Sequence, residues 1–287
     1  MVFVFRKLIS LLLLAVLPVA ASELPYAFRP RLDVPLAVGL IGMKYHSGSR
    51  LQEVRKLDLD LEGLSPRDVP AFDRWAIGFY SPGLSAMSSV LSTAEMAVPI
   101  AVNAWDTYHG NQAWHGALVD VLLLQEALLL SSSLSSYAKS LPIHSTPLTF
   151  DASVPEGERR QPHNASSFFS NHTASAFTTA VYSAYTFQLR HSQSPLVPWV
   201  WGGSLAMASG VGAMRIMAGK HFPSDVLAGA AVGSLCGYLI PRLHLRGPAA
   251  RKARAGKGRP KTGPKLDLGV TFPEGSAVPG PGLRLRF

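Results

Sequence analysis

The sequence predicts an all-α fold, a membrane helical bundle of about five to six helices, and three observations carry that expectation. Five long apolar segments follow one another, Pro82 to Trp105, His115 to Ala138, Thr173 to Leu189, Leu196 to Met214 and Ser224 to Pro241. Their lengths suit membrane helices or the buried helices of a bundle. Charge within them is sparse: Glu95, Asp120 and Glu126 interrupt the first two, and a charge is costly in lipid, so these should face the bundle interior. Directly after the last segment the chain turns strongly basic, as a cytoplasmic flank does.

The 287 residues are enough for one domain with a sizeable core, and the formal charge is +9. Residues 242–287 hold eleven Lys/Arg against two Asp/Glu, leaving 16 of each sign in the body before them. A neutral body does not read as a nucleic-acid binder. Cys236 is the single cysteine, so the chain makes no internal disulfide and no cysteine metal cluster; in its apolar run it reads as a small buried hydrophobe.

In chain order, residues 1–21 read as a signal peptide or N-terminal anchor. Arg6 and Lys7 precede an apolar run from Leu8 to Ala20, with small residues at Ala20, Ala21 and Ser22 for cleavage. Residues 22–81 read as a non-cytoplasmic N-terminal segment. Within it Pro35 to Met43 is apolar but too short to cross a bilayer, and Asp60, Glu62, Asp68 and Asp73 are spaced irregularly, as on a solvated loop. Residues 82–241 form the helical domain. Thr173 to Leu189, rich in Ser, Thr and Tyr, belongs inside it rather than against lipid; a soluble helical domain is the alternative. Residues 242–287 form a Gly/Pro-rich basic tail suited to anionic head groups.

The chemistry gathers at three places. Arg215 is followed by His221 six residues on and by Asp225 four beyond. Pro223 and Ser224 read as a helix entry, with Ser224 as N-cap and His221 just ahead of amide N–H groups that favour an anion. Upstream, Ser170-Asn171-His172 precedes an apolar run, and Lys139 closes an apolar helix. A guanidinium fork, an imidazole and a carboxylate that can hold its far nitrogen are the parts a phosphoryl-transfer site needs. His109, His115, His163, His191 and His244 read as loop or helix-end histidines without matched partners; His144 stands nearer the chemistry.

A lysine, a Ser-x-His and an Arg-x5-His-x3-Asp, in that order across Pro82 to Pro241, resemble the signature motifs of the type-2 phosphatidic acid phosphatase/haloperoxidase superfamily. The resemblance implies that His221 is the nucleophile and forms a phosphohistidine, that Asp225 orients it, and that His172 protonates the leaving oxygen and later activates water. Lys139, Arg215, Ser170 and Asn171 would bind the phosphate, with no metal or other cofactor. The implied partners are a lipid phosphate or pyrophosphate and the membrane, with the site on the periplasmic, extracytoplasmic face of a bacterial-type cell membrane.

Two departures bear on activity. The family's first motif reads Lys-x6-Arg-Pro, whereas this chain has Thr146-Pro147; Arg159 and Arg160, in the next polar loop, are candidates to restore the guanidinium. The second motif usually reads Pro-Ser-Gly-His, and here it is Phe169-Ser170-Asn171-His172, with a Cβ where the glycine lets backbone approach phosphate. The rival readings are a catalytically inactive relative that binds lipid or serves as a scaffold, and a vanadate haloperoxidase that shares the same cage.

Overall fold

The computed structural model describes residues 24–56, 59–109, 114–141 and 143–247, so the expected signal peptide and nearly all of the basic tail lie outside the described residues. The described residues are helical, with an isolated Tyr26–Leu245 bridge in place of any sheet. The long helices are α1 (Pro30–Val54), α2 (Pro82–Glu95), α3 (Ala97–Tyr108), α4 (Trp114–Lys139), α5 (Asn171–Arg190), α6 (Val197–Met217) and α7 (Pro223–Leu243). Proline stands in the first two positions of α1, α2, α6 and α7. Its fixed φ suits a helix start, where its missing N–H costs nothing.

The first predicted span breaks at Met96 into α2 and α3. Pro99 is the cause: it removes one rung of the ladder and crowds the Glu95 carbonyl. α1 was not expected as a full helix from its short apolar run. It forms because its neighbours supply what its composition lacks: Lys44 Nζ on α1 reaches Ser132 O (3.1 Å) and Ser136 Oγ (3.0 Å) on α4. Asp33 meets His244 and Glu126 near the start of α1, so α1 runs parallel to α4. The segment 24–81 therefore traverses the whole bundle. Its start pairs with the end of α7, where Ala27 N donates to His244 O (3.0 Å), and Asp73 meets the start of α7 through Ser224 N (2.9 Å) and Oγ (2.7 Å). Asp73, expected to be solvated, is buried by that anchorage.

The centre of the bundle is the α5–α7 contact. Gly229, Gly233 and Gly237 form a four-residue stripe on α7 facing Ser170, Ala174 and Thr178 of α5, and small residues let the two backbones touch. A Cβ built on Gly233 would lie 2.2 Å from Ala174 O. Gly233→Ala is therefore expected to lower the unfolding free energy in detergent by about 1–3 kcal/mol through forced separation of the two helices, measured by denaturant or thermal unfolding.

Three helical stretches are long and apolar enough to cross a membrane: Pro82–Tyr108, Trp114–Lys139 and Pro223–Leu243. α5, expected inside the bundle, is lined by buried residues, and α6, whose length suits a membrane helix or a buried one, is not among the three. Glu95, Asp120 and Glu126 are buried in the protein, as the cost of charge in lipid requires. Exposed aromatic residues collect at both ends: Trp105, Tyr108, Trp114 and Trp199 at one, Phe72, Trp75, Phe79 and Tyr80 at the other. Apolar outer faces between two aromatic girdles are the pattern of a membrane protein.

Candidate active site

At the end of the bundle where α4 and α6 finish and α5 and α7 begin, the structure gathers Lys139, Ser170, Asn171, His172, Arg215, His221 and Asp225. Asp225 is the third residue of α7, and its Oδ2 accepts a hydrogen bond from Phe222 N (2.9 Å). The helix is thus capped by its own first-turn carboxylate, and the N-cap is Phe222 rather than Ser224, whose hydroxyl is spent on Asp73. The same Oδ2 accepts from Ser167 Oγ and faces His221 Nδ1 at 3.5 Å; Ser167 Oγ is itself 3.2 Å from Nδ1. With Nδ1 held by Asp225 and Ser167, Nε2 is the nitrogen left for chemistry.

His221 is buried, and burial, the Lys139 cation and the Arg215 cation outweigh the Asp225 carboxylate, bringing its pKa down to about 3. The imidazole is therefore neutral, with a free lone pair, at neutral pH. His172, in the first turn of α5 and outside the three membrane-length helices, is lowered to about 4 by burial, Arg215 and Lys139. Its Nε2 lies 3.3 Å from Ser89 Oγ of α2. Arg215 is aimed by α2 as well: its Nη1 donates to Ser85 Oγ (3.2 Å) and Ser88 Oγ (3.4 Å), while its buried Nε has no partner. The fields of Lys139 and Arg215 both reach His172 and His221, so the two imidazoles share one cationic pocket.

Ser170 has a second role besides the phosphate binding expected of it. It is the N-cap of α5, fully buried, and its Oγ accepts from Thr173 N (3.3 Å) and Thr173 Oγ1 (2.9 Å). It positions His172 by starting the helix that carries it. Asn171 is the first residue of α5 in ordinary helical backbone, so its Cβ is accommodated without strain, and its buried Oδ1 has no partner.

Neither arginine offered for the Thr146 gap fills it. Arg159 spends its guanidinium on Thr149 O, from Nε (3.1 Å) and Nη2 (2.9 Å), and Arg160 pairs with Glu156 and with Leu59 O. Thr146 is buried, its Oγ1 unpaired. His163 lies 3.3 Å from Lys220 Nζ.

Sequence reasoning missed Ser167, His144 as a partner (Nε2 to Asp225 Oδ1, 3.4 Å) and the hydroxyls on α2. The signal for the last was present: Ser85, Ser88 and Ser89 fall three and four apart, on one helix face.

Residues 125–247 match the family model described as PAP2 superfamily. A lipid A 1-phosphatase from Porphyromonas gingivalis is 40% identical over 87 residues, which are 29% of this chain and only 18% of that protein's length. Among solved structures, a transmembrane PAP2 type phosphatidylglycerolphosphate phosphatase from Bacillus subtilis aligns with a TM-score of 0.42 and 17% identity, over 74% of this chain and 94% of its own. LpxE from Aquifex aeolicus aligns with a TM-score of 0.41 and 21% identity, over 62% and 99%. The matched segment holds Lys139, Ser170 to His172, Arg215, His221 and Asp225 together at one end of the bundle, and over residues 125–247 this chain is similar to the PAP2 superfamily.

Proposed function

We propose that the protein is a phosphoric monoester hydrolase acting on a lipid phosphate or pyrophosphate through a phosphohistidine on His221. The single observation that supports it most is the Asp225–Ser167–His221 arrangement, which engages Nδ1 and leaves a neutral Nε2 beside the Lys139 and Arg215 cations. In the first step the Nε2 lone pair forms a bond to phosphorus, the P–O bond to the lipid breaks, and His172 gives its proton to the departing oxygen. His172 is neutral in the free protein, lowered by burial first and then by Arg215 and Lys139, so its proton arrives with the substrate, whose negative charge offsets the share due to the two cations. In the second step water attacks phosphorus, His172 takes its proton, the P–N bond breaks and inorganic phosphate leaves. Lys139 and Arg215 hold the phosphoryl oxygens throughout, and the serines on α2 keep the guanidinium in place before charge develops. No step in this scheme calls on a metal.

Phosphate release from phosphatidate, a polyprenyl pyrophosphate and lipid A by the purified protein, each with and without His221, tests the reading. Release that depends on His221 supports it; no release from any of them, at any enzyme concentration, would favour the lipid-binding scaffold. The intact placement of both histidines, Asp225, Lys139 and Arg215 speaks against that alternative.

Thr146 is where the cage lacks a guanidinium, and Arg159 and Arg160 are engaged elsewhere. Thr146→Arg is therefore expected to raise kcat/KM. A charge-assisted hydrogen bond contributes about 1.5–3 kcal/mol, which corresponds to roughly ten- to a hundredfold. Arg160→Ala should leave kcat/KM unchanged, and a large loss in that variant would show that the arginine enters the cage during turnover.

The site is proposed to face the periplasm, with the basic tail in the cytoplasm. In that orientation residues 24–33, which pair with the end of α7, lie at the cytoplasmic end, so residues 22–81 are not all on one side. A reporter fused after Arg246 should be active only inside, and one inserted near Glu156 only outside; the reverse pattern would reject the orientation.

A further inference from the structure

A second cluster lies at the other end of the molecule, and the phosphatase reading makes no use of it. Asp33 near the start of α1, Glu126 in the middle of α4 and His244 just beyond α7 converge in the interior, all three buried. Along α4, Glu126 is thirteen residues before Lys139, roughly 20 Å at 1.5 Å per residue, so this is not part of the catalytic pocket. His244 Nε2 is 2.6 Å from Asp33 Oδ1 and 3.9 Å from Glu126 Oε2, and the three ligand atoms lie within 4.8 Å of one another.

The orientation of each group is fixed from behind. His244 Nδ1 lies 2.7 Å from Ile240 O. A carbonyl only accepts, so Nδ1 carries the hydrogen and Nε2 is the nitrogen turned towards the carboxylates. An imidazole held through its far nitrogen by a backbone carbonyl is the arrangement found behind metal-bound histidines. The other oxygen of Asp33 is held by Arg29 N. Glu126 supplies the observation that a simple His–Asp pair leaves unexplained: its Oε2 is buried, points at His244 Nε2 and has no hydrogen-bond partner. A proton between His244 and Asp33 would satisfy that pair and leave Glu126 orphaned. A cation in place of the proton would take all three ligands at once.

We propose that Asp33, Glu126 and His244 form a structural site for one divalent transition ion of the zinc type. One imidazole nitrogen and two carboxylate oxygens are a ligand set suited to such an ion. Ligand atoms bonded at about 2.0–2.2 Å from a common ion stand roughly 3.0–3.5 Å apart. Binding therefore opens the 2.6 Å His244–Asp33 pair by roughly 0.4–0.9 Å and draws Glu126 in. Bound there, the ion ties α1 to α4 and to the end of α7, adding to the Tyr26–Leu245 bridge, the Tyr26 hydroxyl bond to Asp120 of α4 and the apolar cluster of Leu24, Tyr26, Leu123 and Ile240.

The test uses the full-length protein purified in detergent without added chelator. Elemental analysis is expected to find about one equivalent of zinc or manganese per chain in the natural protein and in His221→Ala. Less than a tenth of that is expected in Glu126→Gln and His244→Ala. After chelator treatment the natural protein should melt several degrees lower, and Zn²⁺ or Mn²⁺ should restore the loss, whereas chelator should not move the melting temperature of Glu126→Gln. Because the chelation arm uses the unmutated chain, it stands even if a variant fails to fold. Absence of metal from the natural protein, together with no response of its melting temperature to chelator or to either ion, would overturn the site and leave a shared proton in its place.

Discussion

Replacing His221 with alanine is expected to abolish phosphate release, by on the order of 10⁴-fold or more in kcat, while the protein still folds. The chemical argument is direct. In the proposed mechanism Nε2 of this residue bonds to phosphorus, and the other imidazole that faces Asp225, His144, has its remaining nitrogen 3.2 Å from Ser145 O. The structural argument explains why folding survives. Asp225 keeps its bonds to Phe222 N and Ser167, so the α7 cap does not depend on the imidazole. Steady-state release together with an unfolding curve checks both halves, and retained turnover in a folded His221→Ala protein would end the mechanism.

The second large effect is expected for Asp225→Asn. The carboxylate does two jobs with one oxygen: it caps α7 through Phe222 N, and it faces His221 Nδ1 with Ser167 alongside. An asparagine turned to keep the cap presents its carbonyl to Phe222 and Ser167 but no charge to the ring. Turned the other way, it donates to Nδ1 and favours the tautomer whose Nε2 carries the proton. Loss of the oriented tautomer should cost roughly 10²–10⁴ in kcat, by analogy with other carboxylate–imidazole pairs. KM should change far less, because in the proposed mechanism Lys139 and Arg215 would still hold the phosphate. A variant that instead raised KM with kcat unchanged would make Asp225 a binding residue and leave the orientation of His221 to Ser167.

The spacing of the candidate site was legible in the chain because it is local. Arg215, His221 and Asp225 lie within one turn–loop–turn, where ten residues fix their relations, and the apolar lengths fixed the helices that carry Lys139 and His172. What escaped notice depends on contacts between distant segments. Ser167 is an ordinary loop serine until the start of α7 is brought against it. Asp73 looks solvated until it caps the first turn of α7 by way of Ser224. His191 and His244 read as bland helix-end residues, yet His191 Nε2 meets Asp106 Oδ1 at 3.0 Å and His244 is wholly enclosed with Asp33. α1 was missed because its apolar face is short; polar groups on α4 and α7 complete it, and no helical period in its own sequence reports them.

The Thr146 gap separates what resemblance implies from what the fold provides. A guanidinium expected in the cage is absent and the nearby loop arginines are tied to backbone, so the proposed cage rests on Lys139 and Arg215. A site with fewer donors binds the transferring phosphoryl group less tightly. That is why adding an arginine is expected to accelerate turnover rather than merely tolerate it.

The most direct measurement is a rapid-quench experiment with lipid substrate labelled in its phosphate, followed by mapping of the labelled peptide. The account predicts an acid-labile, alkali-stable phosphoryl group that appears within a single turnover on the peptide carrying His221 and is absent from His221→Ala. Label on any other residue, or full turnover with inorganic phosphate released and His221→Ala as active as the natural protein, would contradict it.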